Sequence, residues 1–105
     1  MEVKELNKDN FKSEALDAKG LVVVDFWSTN CGPCKMYSQI IDWVADENAD
    51  TKICKLNVDD APELAREYRI AAVPATLFFK DGEVKERLVG MQSKCKINGA
   101  IKQYE

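Results

Sequence analysis

A chain of 105 residues, 46% apolar and 31% charged, suits a single compact domain over residues 1–105 with one core and a charged surface. Its net charge of −3, with acids and bases interspersed, argues against a nucleic-acid partner, which calls for a basic patch. The chain has no histidine, which excludes histidine acid–base catalysis, Cys–His dyads and histidine metal sites. Along the chain, Val3 to Leu6 reads as a short strand. Asp9 to Leu16 reads as a helix with Phe11, Ala15 and Leu16 at helical spacing, stopped by Gly20. Leu21 to Trp27 is a nearly continuous apolar, β-branched run, the mark of a strand covered on both faces. A long helix follows from about Cys34 to Asn48, with Met36, Ile40 and Val44 on one stripe and Tyr37 and Ile41 beside it.

Lys52 to Val58 then reads as a strand, and Ala61 to Tyr68 as a short helix with Pro62 in its first turn. Ala75 to Lys80 and Glu83 to Val89 form strands joined by Asp81-Gly82, a hairpin signal. Ser93 offers an N-cap for a last helix reaching Gln103. The order predicts an α/β fold: a central mixed sheet of about five strands, flanked by four helices. Its parallel core holds a central strand with parallel neighbours, and the hairpin adds an antiparallel edge. No run of about 18 apolar residues occurs, so no membrane span is expected. The N-terminus carries no apolar signal core, so a cytoplasmic location is expected, where structural disulfides are rare.

Cys31-Gly32-Pro33-Cys34-Lys35 falls where the apolar strand ends and the long helix begins. Two intervening residues let both sulfurs meet across one turn. The unpaired N–H groups and dipole of the helix start favour a thiolate on Cys31. Cys31, ahead of the helix, is expected to be exposed and to attack; Cys34, inside the first turn, is expected to be shielded and to resolve. Pro33 stiffens the turn, and Gly32 leaves room for a partner. A CxxC pair also begins many zinc sites. A four-cysteine site would need Cys54 and Cys95 to converge on the pair, and their spacing is not that of a second CxxC. No metal and no cofactor is therefore expected. Cys54 reads as a small buried hydrophobe, and Cys95 as an inert thiol in the last helix. Trp43 reads as a surface or half-buried aromatic. Asp59-Asp60 and Lys85-Glu86-Arg87 read as solvated charge.

These residues resemble the thioredoxin family, and the similarity runs nearly end to end. It includes Asp25-Phe26-Trp27, Cys31 to Lys35, Lys55-Leu56-Asn57-Val58-Asp59, Val73-Pro74, Phe79-Lys80-Asp81-Gly82, Val89-Gly90 and Ser93-Lys94. The resemblance implies the thioredoxin fold and a disulfide reductase acting on disulfide-containing target proteins, recharged by a separate thioredoxin reductase. It implies a monomer with no nucleic acid or membrane partner. By the same resemblance Asp25 is buried near Cys34 with a raised pKa and moves a proton to or from that thiol, with Lys55 as its charge partner. Pro74 carries a cis peptide beside the cysteines. Trp27, Asn30, Gly32, Pro33, Val58, Val73, Pro74, Gly90 and Met91 make the docking surface. The chain departs from the family pattern at Asn30, where Trp is usual, at Ala75, where Thr is usual, and at Gln39, where a helix-kinking Pro is common. The alternative reading is a binding module of the same fold whose dithiol is dispensable.

Overall fold

The computed structural model describes residues 3–105. Five strands form one mixed sheet in the order β1-β3-β2-β4-β5. They are β1 (Lys4–Leu6), β2 (Leu21–Trp27), β3 (Lys52–Asn57), β4 (Ala75–Lys80) and β5 (Glu83–Val89). β1, β3 and β2 run parallel, while β4 pairs antiparallel with β2 and β5 antiparallel with β4. The strand with parallel neighbours on both sides is thus β3. The central strand β2 has one parallel and one antiparallel neighbour, because the hairpin docks directly against it. Asp81 and Gly82 both take positive φ, 55° and 80°, as a tight two-residue hairpin turn requires.

Alternation of side chains sends each strand's residues to two separate layers. Val22, Val24 and Phe26 join Cys54, Leu56, Leu77 and Phe79 on one face. There they pack under Phe11, Ala15 and the short helix α2 (Pro62–Glu67). Leu21, Val23, Ile53 and Phe78 face the other way, against α1 (Gly32–Glu47) and α3 (Lys94–Tyr104). β2 is buried along its first six residues because both faces are covered.

Two helices differ from the periodicity reading. The helix expected over Asp9–Leu16 is a short π-helical turn, Lys12–Leu16, closed by the Asp17 N–H donating to the Lys12 carbonyl. The Asn7 carboxamide oxygen accepts from the N–H groups of Asp9 and Asn10, and Asn10 returns the bond to the Asn7 N–H. The two side chains thus cap the turn reciprocally: it opens with the Phe11 N–H on the Asn7 carbonyl and widens to the π-type bond only at Asp17. On α1 the buried face is Cys34, Tyr37, Ile41, Val44 and Ala45, while Met36 is 67% exposed. Of the expected stripe Met36, Ile40 and Val44 only Val44 is buried; the buried face is turned toward Tyr37 and Ile41, and Tyr37 finds a polar partner there. The Tyr37 and Thr76 hydroxyls lie 2.7 Å apart in the core.

Candidate active site

The site stands at the C-terminal end of β2, where the chain leaves the sheet and enters α1. The loop between them is tied down by Asp59, whose carboxylate accepts from the Ser28 hydroxyl at 2.9 Å and the Thr29 N–H at 3.1 Å. Those bonds hold the Asp59 carboxyl below the usual range, the backbone bond from Thr29 most of all. Asn57 adds a bond to the Thr29 hydroxyl, and the Val58 N–H donates to the Trp27 carbonyl. Asp59 is therefore an anchor for the loop that presents Cys31, not only a solvated charge.

Cys31 is the N-cap of α1, with extended backbone angles, and Pro33 occupies the first turn. Its sulfur accepts from the Cys34 N–H at 3.1 Å, so it takes up one of the unpaired donors of the helix start. Cys31 and Cys34 form a disulfide here. Cys31 is half-buried rather than exposed as expected, and Cys34 is buried, so Cys31 is the more accessible of the two. On the other side, Cys31 Sγ lies 3.7 Å from the Val73 carbonyl oxygen. The Val73–Pro74 peptide is cis. The Pro74 carbonyl accepts from the N–H of Gly90, which has a φ of 84°.

Behind the disulfide is a cavity of about 240 Å³ lined by Asp25, Trp27, Cys34, Lys35, Ser38 and Lys55. Asp25 is 1% exposed, and its Oδ1 has no hydrogen-bond partner among the described residues. Burial pushes its carboxyl up to about 7, against the opposing pull of the Lys55 ammonium. Lys55 is in register with Asp25 across β3 and β2, yet it donates to Ser38 Oγ at 3.2 Å rather than to the carboxyl. An acid that titrates near neutrality, sharing a cavity with Cys34, can take and return that thiol's proton at neutral pH.

The structure distributes the expected docking residues unevenly. Asn30, Gly32, Pro33 and Met91 are exposed, Val73 and Gly90 half-buried, and Pro74 buried beside the cysteines. Trp27 stands in the cavity wall next to Asp25, its Nε1 buried without a partner among the described residues. Val58 packs against the lower core, since β3 ends at Asn57 and the chain turns under Trp27. Cys54 is fully buried, its thiol pushed up to about 11 chiefly by burial, and Cys95 is exposed on α3. Neither joins the Cys31–Cys34 pair. Among the described residues no cluster of three or more Cys, Asp or Glu is placed to hold a metal. Asp59, Ser38 and the Tyr37–Thr76 pair were not apparent as site-building residues. Their only sequence signal is position: Tyr37 and Ser38 lie one turn past Cys34, Asp59 lies just beyond the strand that carries Lys55, and Thr76 lies two residues after Pro74.

The family model described as Thioredoxin matches residues 2–103. A thioredoxin of Porphyra purpurea is 35% identical over 105 residues, covering 99% of this chain and 98% of its own length. The chloroplastic M-type thioredoxin of Spinacia oleracea is 39% identical over 104 residues, covering 98% of this chain, which spans only 58% of that longer protein. Among solved structures, a Malassezia sympodialis thioredoxin superposes with a TM-score of 0.87 at 33% identity, over 98% of this chain and 90% of the other.

Proposed function

This chain belongs to the thioredoxin family and is a thiol–disulfide oxidoreductase, and from that premise we propose that Cys31 attacks, Cys34 resolves and Asp25 handles the proton of Cys34. The carrying observation is the position of the two sulfurs: Cys31 caps a helix and is reachable, while Cys34 is shielded over the Asp25 cavity. Disulfide-containing proteins are its targets, and a thioredoxin reductase is its source of electrons.

In the reducing direction the Cys31 thiolate attacks one sulfur of a target disulfide. A new S–S bond forms, and the other target sulfur leaves as a thiolate. The Cys34 thiol passes its proton to the Asp25 carboxylate. The Cys34 thiolate then attacks Cys31 Sγ, and the second target sulfur departs. Two electrons have moved to the target, and the protein holds the Cys31–Cys34 disulfide until the reductase returns two electrons. The Asp25 carboxylate that accepts this proton is available from about pH 7 upward. Lys55 acts through Asp25, favouring its ionised form.

Docking is assigned to the rim around Cys31: exposed Asn30, Gly32, Pro33 and Met91 with half-buried Val73 and Gly90. A monomer is sufficient for the reaction, because both sulfurs and the buried carboxyl come from one chain. A reducing compartment such as the cytoplasm fits the unpaired thiols of Cys54 and Cys95. No helix among the described residues is long and apolar enough to cross a membrane.

The test is covalent trapping. Cys34→Ser should accumulate mixed disulfides with target proteins through Cys31, because attack survives and resolution does not. Cys31→Ser should trap none. Alkylation of the reduced protein at neutral pH, mapped by mass spectrometry, should find Cys31 modified first. Faster modification of Cys34, or trapping through Cys34, would reverse the assignment.

A further inference from the structure

Five residues stand in register across the sheet: Glu5 on β1, Lys55 on β3, Asp25 on β2, Thr76 on β4 and Leu88 on β5. Lys55 therefore has an acid on either side. Its ammonium goes to neither: it rises from the sheet to α1 and donates to Ser38 Oγ at 3.2 Å. The ammonium has donors only, so the serine oxygen must accept. Ser38 is half-buried and lines the same cavity as Asp25, whose Oδ1 is left without a partner among the described residues.

We propose that Ser38 is a positioning residue: its hydroxyl holds the Lys55 ammonium on the helix side of the cavity and so keeps it from closing on the Asp25 carboxyl. The proposal rests on the reading of Asp25 given above. Without the tether the ammonium has two acids within reach of its strand position. Glu5 is exposed, so solvent screens its attraction, whereas the Asp25 carboxyl is 1% exposed and the same charge acts on it more strongly. A released Lys55 turns toward Asp25. A direct ion pair then keeps the carboxylate ionised to a lower pH, and Asp25 becomes a weaker base toward Cys34. The tether thus keeps the carboxyl matched to work near neutral pH, with Lys55 close enough to temper the effect of burial but not to abolish it. The other charged or titratable groups facing this carboxyl are Glu5 from β1 and Cys34, Lys35 and Tyr37 from α1.

The experiment follows the Asp25 carboxyl carbon by NMR against pH in the disulfide form, where neither Cys31 nor Cys34 titrates. Ser38→Ala should move its midpoint down by about half a pH unit or more. Ser38→Thr, which keeps the acceptor, should restore the wild-type midpoint. In a Lys55→Met background Ser38→Ala should change nothing further, since the effect runs through the ammonium. An unchanged or raised midpoint in Ser38→Ala, or the same fall with Lys55 absent, would overturn the proposal. Stopped-flow release of a target thiol against pH, in wild type and Asp25→Asn, tests the parent reading separately. Identical profiles there would remove Asp25 from proton transfer, while the carboxyl titration still decides where Ser38 holds Lys55.

Discussion

The Asp25 carboxyl, 1% exposed and with one oxygen unpartnered among the described residues, opposes folding whenever it is charged. Its pKa rises from an ordinary 3.8 to about 7, chiefly by burial. Between those values the unfolded chain is ionised while the folded protein still holds its proton. Raising the pH through this window therefore favours unfolding, and the full penalty is present only above about 7. Asp25→Asn removes the charge with little change of shape. At pH 8 it should raise stability by about 2–4 kcal/mol, fading as the pH falls toward 4. Urea unfolding of both proteins across that range checks this. A gain independent of pH would mean that the buried charge is not its source. In the same variant disulfide reduction should slow, since Cys34 loses its proton acceptor. Stability and activity are thus expected to move in opposite directions at one position.

The two capped helices show how differently their starts are built. α3 begins conventionally, with the Ser93 hydroxyl accepting from the Lys96 N–H at 3.1 Å. Ser93→Ala should cost about 1 kcal/mol and lower Tm by about 4–8 °C, with disulfide reduction unchanged. Calorimetry and an insulin-reduction assay, run together, check both halves. α1 begins with a cysteine sulfur in that role. The group that satisfies the helix donor is the group that reacts, and the helix start stabilises it as a thiolate. The end of the apolar strand and the Cys31–Cys34 segment located this helix start in the sequence. They did not orient the helix. Two apolar stripes compete on α1, and the choice between them rests on Thr76, thirty-nine residues from Tyr37, which supplies the phenol's partner.

At the scale of the whole molecule, the sheet carries two apolar layers and one polar row between its helices. That row crosses the sheet with Asp25 at its middle, in the cavity behind the disulfide, and the rim above it is where a target must settle. Asn30 is exposed there, at the position where the resemblance leads us to expect Trp. Asn30→Trp should add apolar contact next to Cys31. About 80 Å² of new contact, at roughly 25 cal/mol per Å², sets a ceiling near 2 kcal/mol on the gain in docking. Ordering costs reduce that to about tenfold in affinity. The helix start that stabilises the Cys31 thiolate is untouched, so its alkylation rate against pH should stay the same. Steady-state kinetics with a bacterial thioredoxin reductase, read beside that alkylation profile, distinguish the two. A shift of the pH profile by a full unit with unchanged reductase kinetics would make Asn30 a tuner of the thiol rather than of docking.

Features that depend on neighbours in the chain were legible in the sequence. The doubly covered strand Leu21–Trp27, the Asp81-Gly82 hairpin, the Ser93 cap and the Cys31–Cys34 pair at a helix start each follow from local periodicity, backbone freedom or spacing. The similarity to known chains placed Asp25, Lys55 and cis-Pro74 near that pair, and the structure sets all three around it. What only the tertiary structure decided are the partners of polar groups that lie far apart in sequence. Asp59 holds the loop before Cys31 from thirty residues away, Ser38 draws Lys55 off Asp25, and Val58 turns inward under the sheet. The reason is physical. A hydrogen bond or an ion pair depends on tenths of an ångström and on which competitor is nearest, and neither is set until the sheet register and the helix orientation are fixed.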